Sequence, residues 1–259
     1  YHAFAAGRAA TSGPIRGMPI DGDSGALVSG WWVHNLYEQG GAALVASWVI
    51  WVIGSIVLHE LAHGWAALWQ GDETPRELDR MTINPMVHMG PWALLMFAVI
   101  GITWGMMPTD PSRYRWGRRG RVVVAAAGPA MNLLLAFVAL TALGLSGLSL
   151  AEGETAERMA QFLLIGGFLN IALAMFNLLP VPPLDGSGIL AGLSWKWYQW
   201  SQDPRIAMYS LLALMVLFFI GGLGGVLFGT AMGISSGYAG FLTRLVWGGG
   251  PEVTVPEAF

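Results

Sequence analysis

The chain has 259 residues, of which 54% are hydrophobic and only 11% charged, against roughly 25% charged in a soluble domain. Lys+Arg is 13 and Asp+Glu is 16, for a formal net charge of -3, which argues against a nucleic-acid partner held through phosphate contacts. The absence of cysteine rules out disulfides, thiol nucleophiles and thiolate metal ligands, and so much apolar surface with so little charge rules out both disorder and an ordinary soluble globule. The composition is that of a multi-span membrane protein.

Residues 1–40 are rich in Gly and Ala and read as an N-terminal extension on the outer face. Five stretches then carry no Asp, Glu, Lys or Arg: 39–59, 81–109, 122–151, 159–184 and 206–243. About 20 apolar residues cross a bilayer. The pattern predicts an all-α integral membrane bundle of about 4–6 transmembrane helices. A membrane core over 41–205 holds a helix over 42–69, a helix over 122–145 and a helix over 159–180. The C-terminal part, 206–259, is predicted to hold a span over 206–228 and then a Gly-rich tail or a second, weaker segment.

The stretch 81–109 is different. Asn84, Pro85, Gly90, Pro91, Gly101 and Gly105 interrupt it, and such residues break helices. It reads as a re-entrant or edge-strand segment between the first and second core helices, with an ordinary short span as the alternative.

The first core helix contains His59-Glu60-Leu61-Ala62-His63. Histidines at i and i+4 share one face a turn apart and can reach one ion, with the Glu placed as general base. By composition such a match arises by chance with a probability of only ~0.003. A Glu buried in a membrane helix without a partner costs several kcal/mol, which weighs against two packed histidines beside an idle carboxylate. Catalytic zinc takes three protein ligands. Asp185 is the candidate for the third: it closes an uncharged run after the Pro-rich break of Asn177-Leu-Leu-Pro-Val-Pro-Pro-Leu-Asp185-Gly186. The plainer reading of Asp185 is a helix N-cap.

The HExxH and the Asn177–Gly186 segment together resemble the site-2 protease family of intramembrane zinc metalloproteases, in the small form without PDZ or CBS domains. Asn84-Pro85-Met86-Val87-His88 is similar to the family's NPxxH segment, and Gly128-Pro129-Ala130-Met131-Asn132 to its GPxxN segment. The four follow the family's order over roughly 42–190. The resemblance implies one Zn2+ held by His59, His63 and Asp185, Glu60 as catalytic base, and Asn177 holding the substrate backbone. Asn132 and His88 are weaker substrate-side candidates; for Asn132, interhelical packing is the plainer role, as it is for Gly128. The chain departs from the family where Met89-Gly90-Pro91 follows the NPxxH segment and where Met106-Met107-Pro108 follows Trp104-Gly105. His2 and His34 receive no role.

The function implied is intramembrane hydrolysis of a membrane-protein substrate with a single transmembrane segment, within the lipid bilayer of a prokaryotic cell membrane. The alternatives are a catalytically silent relative that binds membrane segments, and a metal-binding transporter. For Asp185 to meet the histidines, the first core helix and helix 159–180 must run parallel, so 91–107 makes no net crossing beside the single crossing 122–145. If the metal side is cytoplasmic, Arg76, Arg80, the Arg of 109–121, Lys196 and Arg205 lie inside, in accord with the positive-inside rule. The Arg-rich loop could instead mark an anionic-lipid or protein docking patch.

Overall fold

The computed structural model describes residues 31–248. Residues 1–30, with His2, and 249–259 lie outside the described residues. The described residues are helical and contain no strand. Helix α1 spans Trp32–Gln70, α4 Arg118–Ser146, α5 Glu154–Asn177 and α9 Leu223–Trp247; these four are long and apolar enough to cross a membrane. Between them lie the short α2 (Thr74–Glu77), α3 (Pro85–Ile100), α6 (Asp185–Leu193), α7 (Trp195–Ser201) and α8 (Pro204–Phe219). Over the described residues the chain is an all-helical membrane protein.

α1 begins earlier than expected, at Trp32, but bends at Gly40 and Gly41, where φ is +64° at Gly41. That left-handed geometry favours glycine, so the continuous membrane helix starts after it. α4 is the central element and touches α1, α5, α6 and α9. It begins beside the end of α1, where Arg115 N–H donates to Gln70 O at 2.6 Å and Trp116 N–H to Gln70 Oε1 at 3.2 Å. α5 then returns alongside, with Trp51 Nε1 donating to Phe162 O at 2.8 Å. Phe168, Leu140 and Leu143 are fully buried in the shared core. The outward faces carry exposed Leu133, Phe137, Val138, Leu212 and Val226, the surface that a lipid-facing bundle requires.

The interrupted stretch enters and comes back. Asn84 caps α3 by accepting from Met86 N–H at 3.0 Å, and the helix breaks at Gly90 (φ +71°) before Pro91. The ten residues to Ile100 rise about 15 Å, half a hydrocarbon core. Past Gly101 the chain has no regular secondary structure through residue 110 and turns back. Met106 N–H donates to His88 O at 3.0 Å, and Asp110 N–H to Asp72 Oδ2 at 2.7 Å. Asp72 is fully buried, and its Oδ1 also accepts from Thr74 N–H (3.0 Å) and Thr74 Oγ1 (2.5 Å). One carboxylate therefore ties the outgoing and returning ends together beside the end of α1, so the segment makes no net crossing.

The C-terminal part takes the second of the two expected forms, a further segment after the first, but the break comes earlier than residue 228. α8 ends at Phe219, the chain turns through Ile220–Gly222 with Gly222 at φ +76°, and α9 starts at Leu223. Four glycines close together at 221, 222, 224 and 225 break the helix that hydropathy alone would continue. Residues 229–247 accordingly belong to the long apolar α9. α7 and α8 meet at 85°. α7 presents Trp195 and Trp200 outward, as aromatic side chains do at a membrane surface.

Candidate metal centre

The HExxH lies two turns before the C-terminal end of α1, on the face that α4 covers. His59, Glu60 and His63 are all more than nine-tenths buried. His59 Nε2 and His63 Nε2 stand 3.0 Å apart. Asp185 arrives from the other side: α5 ends at Asn177, the Pro-rich turn follows, and α6 starts at Asp185. The turn is tight, since a Cβ at Gly186 would lie 2.2 Å from Leu178 O. Asp185 Oδ2 is 3.1 Å from His59 Nε2 and Oδ1 is 3.3 Å from His63 Nε2. Among the described residues these three side chains form the group that could hold a metal ion.

Three observations test whether zinc fits. A tetrahedral ion with ligands at about 2.0–2.1 Å sets them about 3.3 Å apart, and the separations here fall at or just below that. Second, His63 Nδ1 lies 2.7 Å from Val124 O. A carbonyl only accepts, so His63 Nδ1 carries a proton, and Nε2, which faces His59 and Asp185, is the nitrogen whose lone pair a metal would take. Lone pairs and a carboxylate converging in a buried site call for a cation. Third, a Cβ at Gly128 would stand 2.4 Å from His63 Nε2 and 2.5 Å from His59 Nε2. Glycine keeps open the space in front of both ligand nitrogens. Two imidazoles and one carboxylate form a nitrogen–oxygen donor set suited to zinc.

The other sequence candidates fall in different places. Asn132 is fully buried and both ends of its amide are engaged: Oδ1 lies 2.5 Å from His59 Nδ1, and Nδ2 donates to Asn170 Oδ1 at 2.9 Å. Its amide faces the His59 ring and Asn170, and these contacts include no open side toward a substrate. Interhelical packing, its plainer reading, is part of what it does, since the amide joins α1, α4 and α5. His88 is also buried, with Nε2 2.5 Å from Thr82 O and its carbonyl receiving Met106 N–H. It braces the re-entrant segment from inside, and these contacts do not put it against a substrate. Asn177 is half-buried, and its Nδ2 donates to Leu173 O at 3.0 Å, a bond within α5.

Three features escaped the sequence reading. Gly128 is more than a close helix contact, as its position before the two histidines shows. Asn170, fully buried, stood in the sequence as an amide within the uncharged run 159–184, and an amide placed deep in a membrane helix needs a partner. Gly105 on the returning segment is the third: a Cβ there would lie 2.6 Å from Glu60 Oε1, so that backbone passes directly beside the carboxylate. At the rim, the Ser112 hydroxyl and N–H both bond Asp110 and hold its pKa below the usual carboxylate value. Burial raises that of Tyr114.

A family model described as Peptidase family M50 matches residues 145–221, which include Asp185. A Bacillus subtilis (strain 168) protein, YwhC, which carries the name of a zinc metalloprotease, is 36% identical over 178 residues, 66% of this chain and 78% of that protein. The chain belongs to the M50 peptidase family. Two proteins named Rip2 extend the likeness. The one from Mycolicibacterium smegmatis is 31% identical over 156 residues, 57% of this chain and 55% of the relative. The one from Mycobacterium tuberculosis (strain H37Rv) is 28% identical over 221 residues, 83% of this chain and 82% of the relative. No solved structure matches the chain. This M50 peptidase is a membrane-embedded zinc metalloprotease, as the site-2 protease resemblance implied.

Proposed function

We propose that this M50 peptidase hydrolyses a peptide bond within or near the single transmembrane segment of another membrane protein. The observation that carries the reading is the burial of His59, Glu60 and His63 inside an apolar helix long enough to span a bilayer. His59, His63 and Asp185 are the residues that would hold zinc. Zinc there would supply Lewis-acid polarisation of the scissile carbonyl and make a water molecule more acidic. Glu60 takes the proton from water as it attacks and passes it to the leaving amine nitrogen. Asn177 orients the substrate backbone at the mouth of the site.

A helical substrate hides its peptide bonds in its own hydrogen bonds, so it must open before cleavage. The non-helical segment 102–109 supports a place for the opened strand. It runs past Glu60 at Gly105, and a peptide pairing along it would bring its carbonyls toward the metal centre. A metal transporter would need further ligating groups along a path through the bundle. Among the described residues His59, His63 and Asp185 form the single such group, which favours the peptidase.

The test is cleavage. Purified protein incubated in bicelles with a panel of single-span helices should cut inside or next to the apolar segment. A chelator should stop the reaction, and added zinc should restore it. Cleavage of soluble peptides alone, or cleavage indifferent to chelation, would reject the proposal.

The active site is proposed to open toward the cytoplasmic side of a prokaryotic cell membrane, as the Arg of the loop between α3 and α4 suggest. Because the chain has no cysteine, single exposed cysteines report sidedness cleanly. Ser112→Cys should resist a membrane-impermeant maleimide in intact cells and react after permeabilisation, whereas Glu152→Cys should react in intact cells. The reverse pattern would place the site on the outer side.

A further inference from the structure

The hydrogen bond to His59 Nδ1 is the end of a longer chain. Asn170 Nδ2 donates to Gly166 O at 2.9 Å, Asn132 Nδ2 donates to Asn170 Oδ1 at 2.9 Å, and Asn132 Oδ1 faces His59 Nδ1 at 2.5 Å. Both amides are fully buried. Gly166 O is a backbone carbonyl and can only accept. It therefore dictates which end of the Asn170 amide faces it; that orientation turns an oxygen to Asn132, and Asn132 in turn presents an oxygen to His59. An amide taken alone could flip and offer its NH2 group instead, which would force the His59 ring to keep its proton on Nε2, the nitrogen needed for the metal.

We propose that Asn170, through Asn132, is a positioning residue that locks the His59 imidazole in the Nδ1–H tautomer, so that Nε2 is held open for zinc. His63 needs no such relay, because it is held directly by Val124 O. The difference is geometric. The α4 backbone supplies a carbonyl for His63, whereas at His59 the nearest partner is a side chain whose polarity has to be set from α5. Gly166 itself lies against Trp51, so close that a side chain there would run into the indole. The carbonyl that anchors the relay thus belongs to a turn of α5 pressed onto α1, the helix that carries the histidines.

The proposal rests on His59, His63 and Asp185 being the ligands, and the experiment separates the two. Zinc affinity is measured by competition with a chromophoric chelator, with no substrate present. Asn170→Leu keeps the size and removes the polarity; it should weaken zinc binding about 10–100-fold, the range for loss of a partner that orients a ligand. Asn170→Asp keeps an acceptor for Asn132, and when protonated it also keeps a donor for Gly166 O; it should bind zinc within about 3-fold of wild type. Asn132→Asp has no NH2 group to present to His59. In that background Asn170→Leu should cost no more than about 3-fold, because the tautomer no longer depends on residue 170.

Wild-type affinity in Asn170→Leu would overturn the proposal, as would equal weakening of Asn170→Leu with and without Asn132→Asp. Loss of folding in both Leu variants, read from thermal unfolding in detergent, would also overturn it, since Asn170 would then serve the fold alone. Asp185→Ala is the control for the ligand set. If it loses zinc while Asn170→Leu keeps it, the relay fails and the ligands stand; if it keeps zinc, the ligand set fails.

Discussion

Glu60→Gln is expected to bind zinc like the wild type and to hydrolyse substrate about 10²–10⁴-fold more slowly, the range for removing a general base. The amide matches the carboxylate in size, so the backbone of Gly105, packed against this side chain, keeps its place. His59, His63 and Asp185 retain their mutual spacing, because the hydrogen bonds and ion pairs that hold them run to Asn132, to Val124 and to one another. What disappears is the group that can accept a proton from water and return it to the amine. Metal content and single-turnover cleavage should be measured on one preparation. Loss of zinc together with activity would assign Glu60 to the metal site itself, and full activity would remove it from the mechanism.

Gly128→Ala is expected to reduce bound zinc to less than about a tenth of the wild-type level under dialysis, and activity with it. The reason is steric. The added methyl would sit 2.4–2.5 Å from both Nε2 atoms, where a ligated ion has to lie and well inside van der Waals contact. Neither side can readily yield. α4 is wedged among α1, α5, α6 and α9, and each imidazole is tethered at its far nitrogen, to Asn132 Oδ1 and to Val124 O. Gly54→Ala is the matched control. It lies on α1, and a Cβ there meets nothing within 4 Å, so metal content should be unchanged and helix propensity slightly improved. Metal analysis decides the matter, and equal zinc in Gly128→Ala and wild type would mean that the ion lies elsewhere.

How much of the molecule could be read from its residues depended on whether the signal was local. Uncharged runs locate membrane helices because each residue adds its own transfer cost, and the cores of α1, α4 and α5 lie where those runs do. The HExxH is legible for a similar reason: helical periodicity alone puts His59 and His63 on one face. The end of the C-terminal span was not legible. Hydropathy is a sum over a window, and it passes through Gly221 and Gly222, where backbone conformation and not polarity ends α8.

Asn132 shows the limit within the site. Its position four residues after Gly128 was visible, but whether its amide meets a substrate or a ligand depends on Asn170, 38 residues away on another helix. Gly128 likewise reads as a packing residue until α1 is set against α4, and only then is the missing Cβ seen to be the space before two nitrogens.

The sequence by itself determined that this is a helical membrane protein with two histidines on one helix face and a Glu beside the first, because composition and helical spacing are properties of the residues in order. The tertiary structure alone decided the direction of each hydrogen bond around the site and the clearance in front of it. It also decided the return of segment 102–110 past Glu60, because these arise where α4, α5 and the re-entrant chain close on α1. Such contacts depend on distances between helices, which no spacing along the chain encodes.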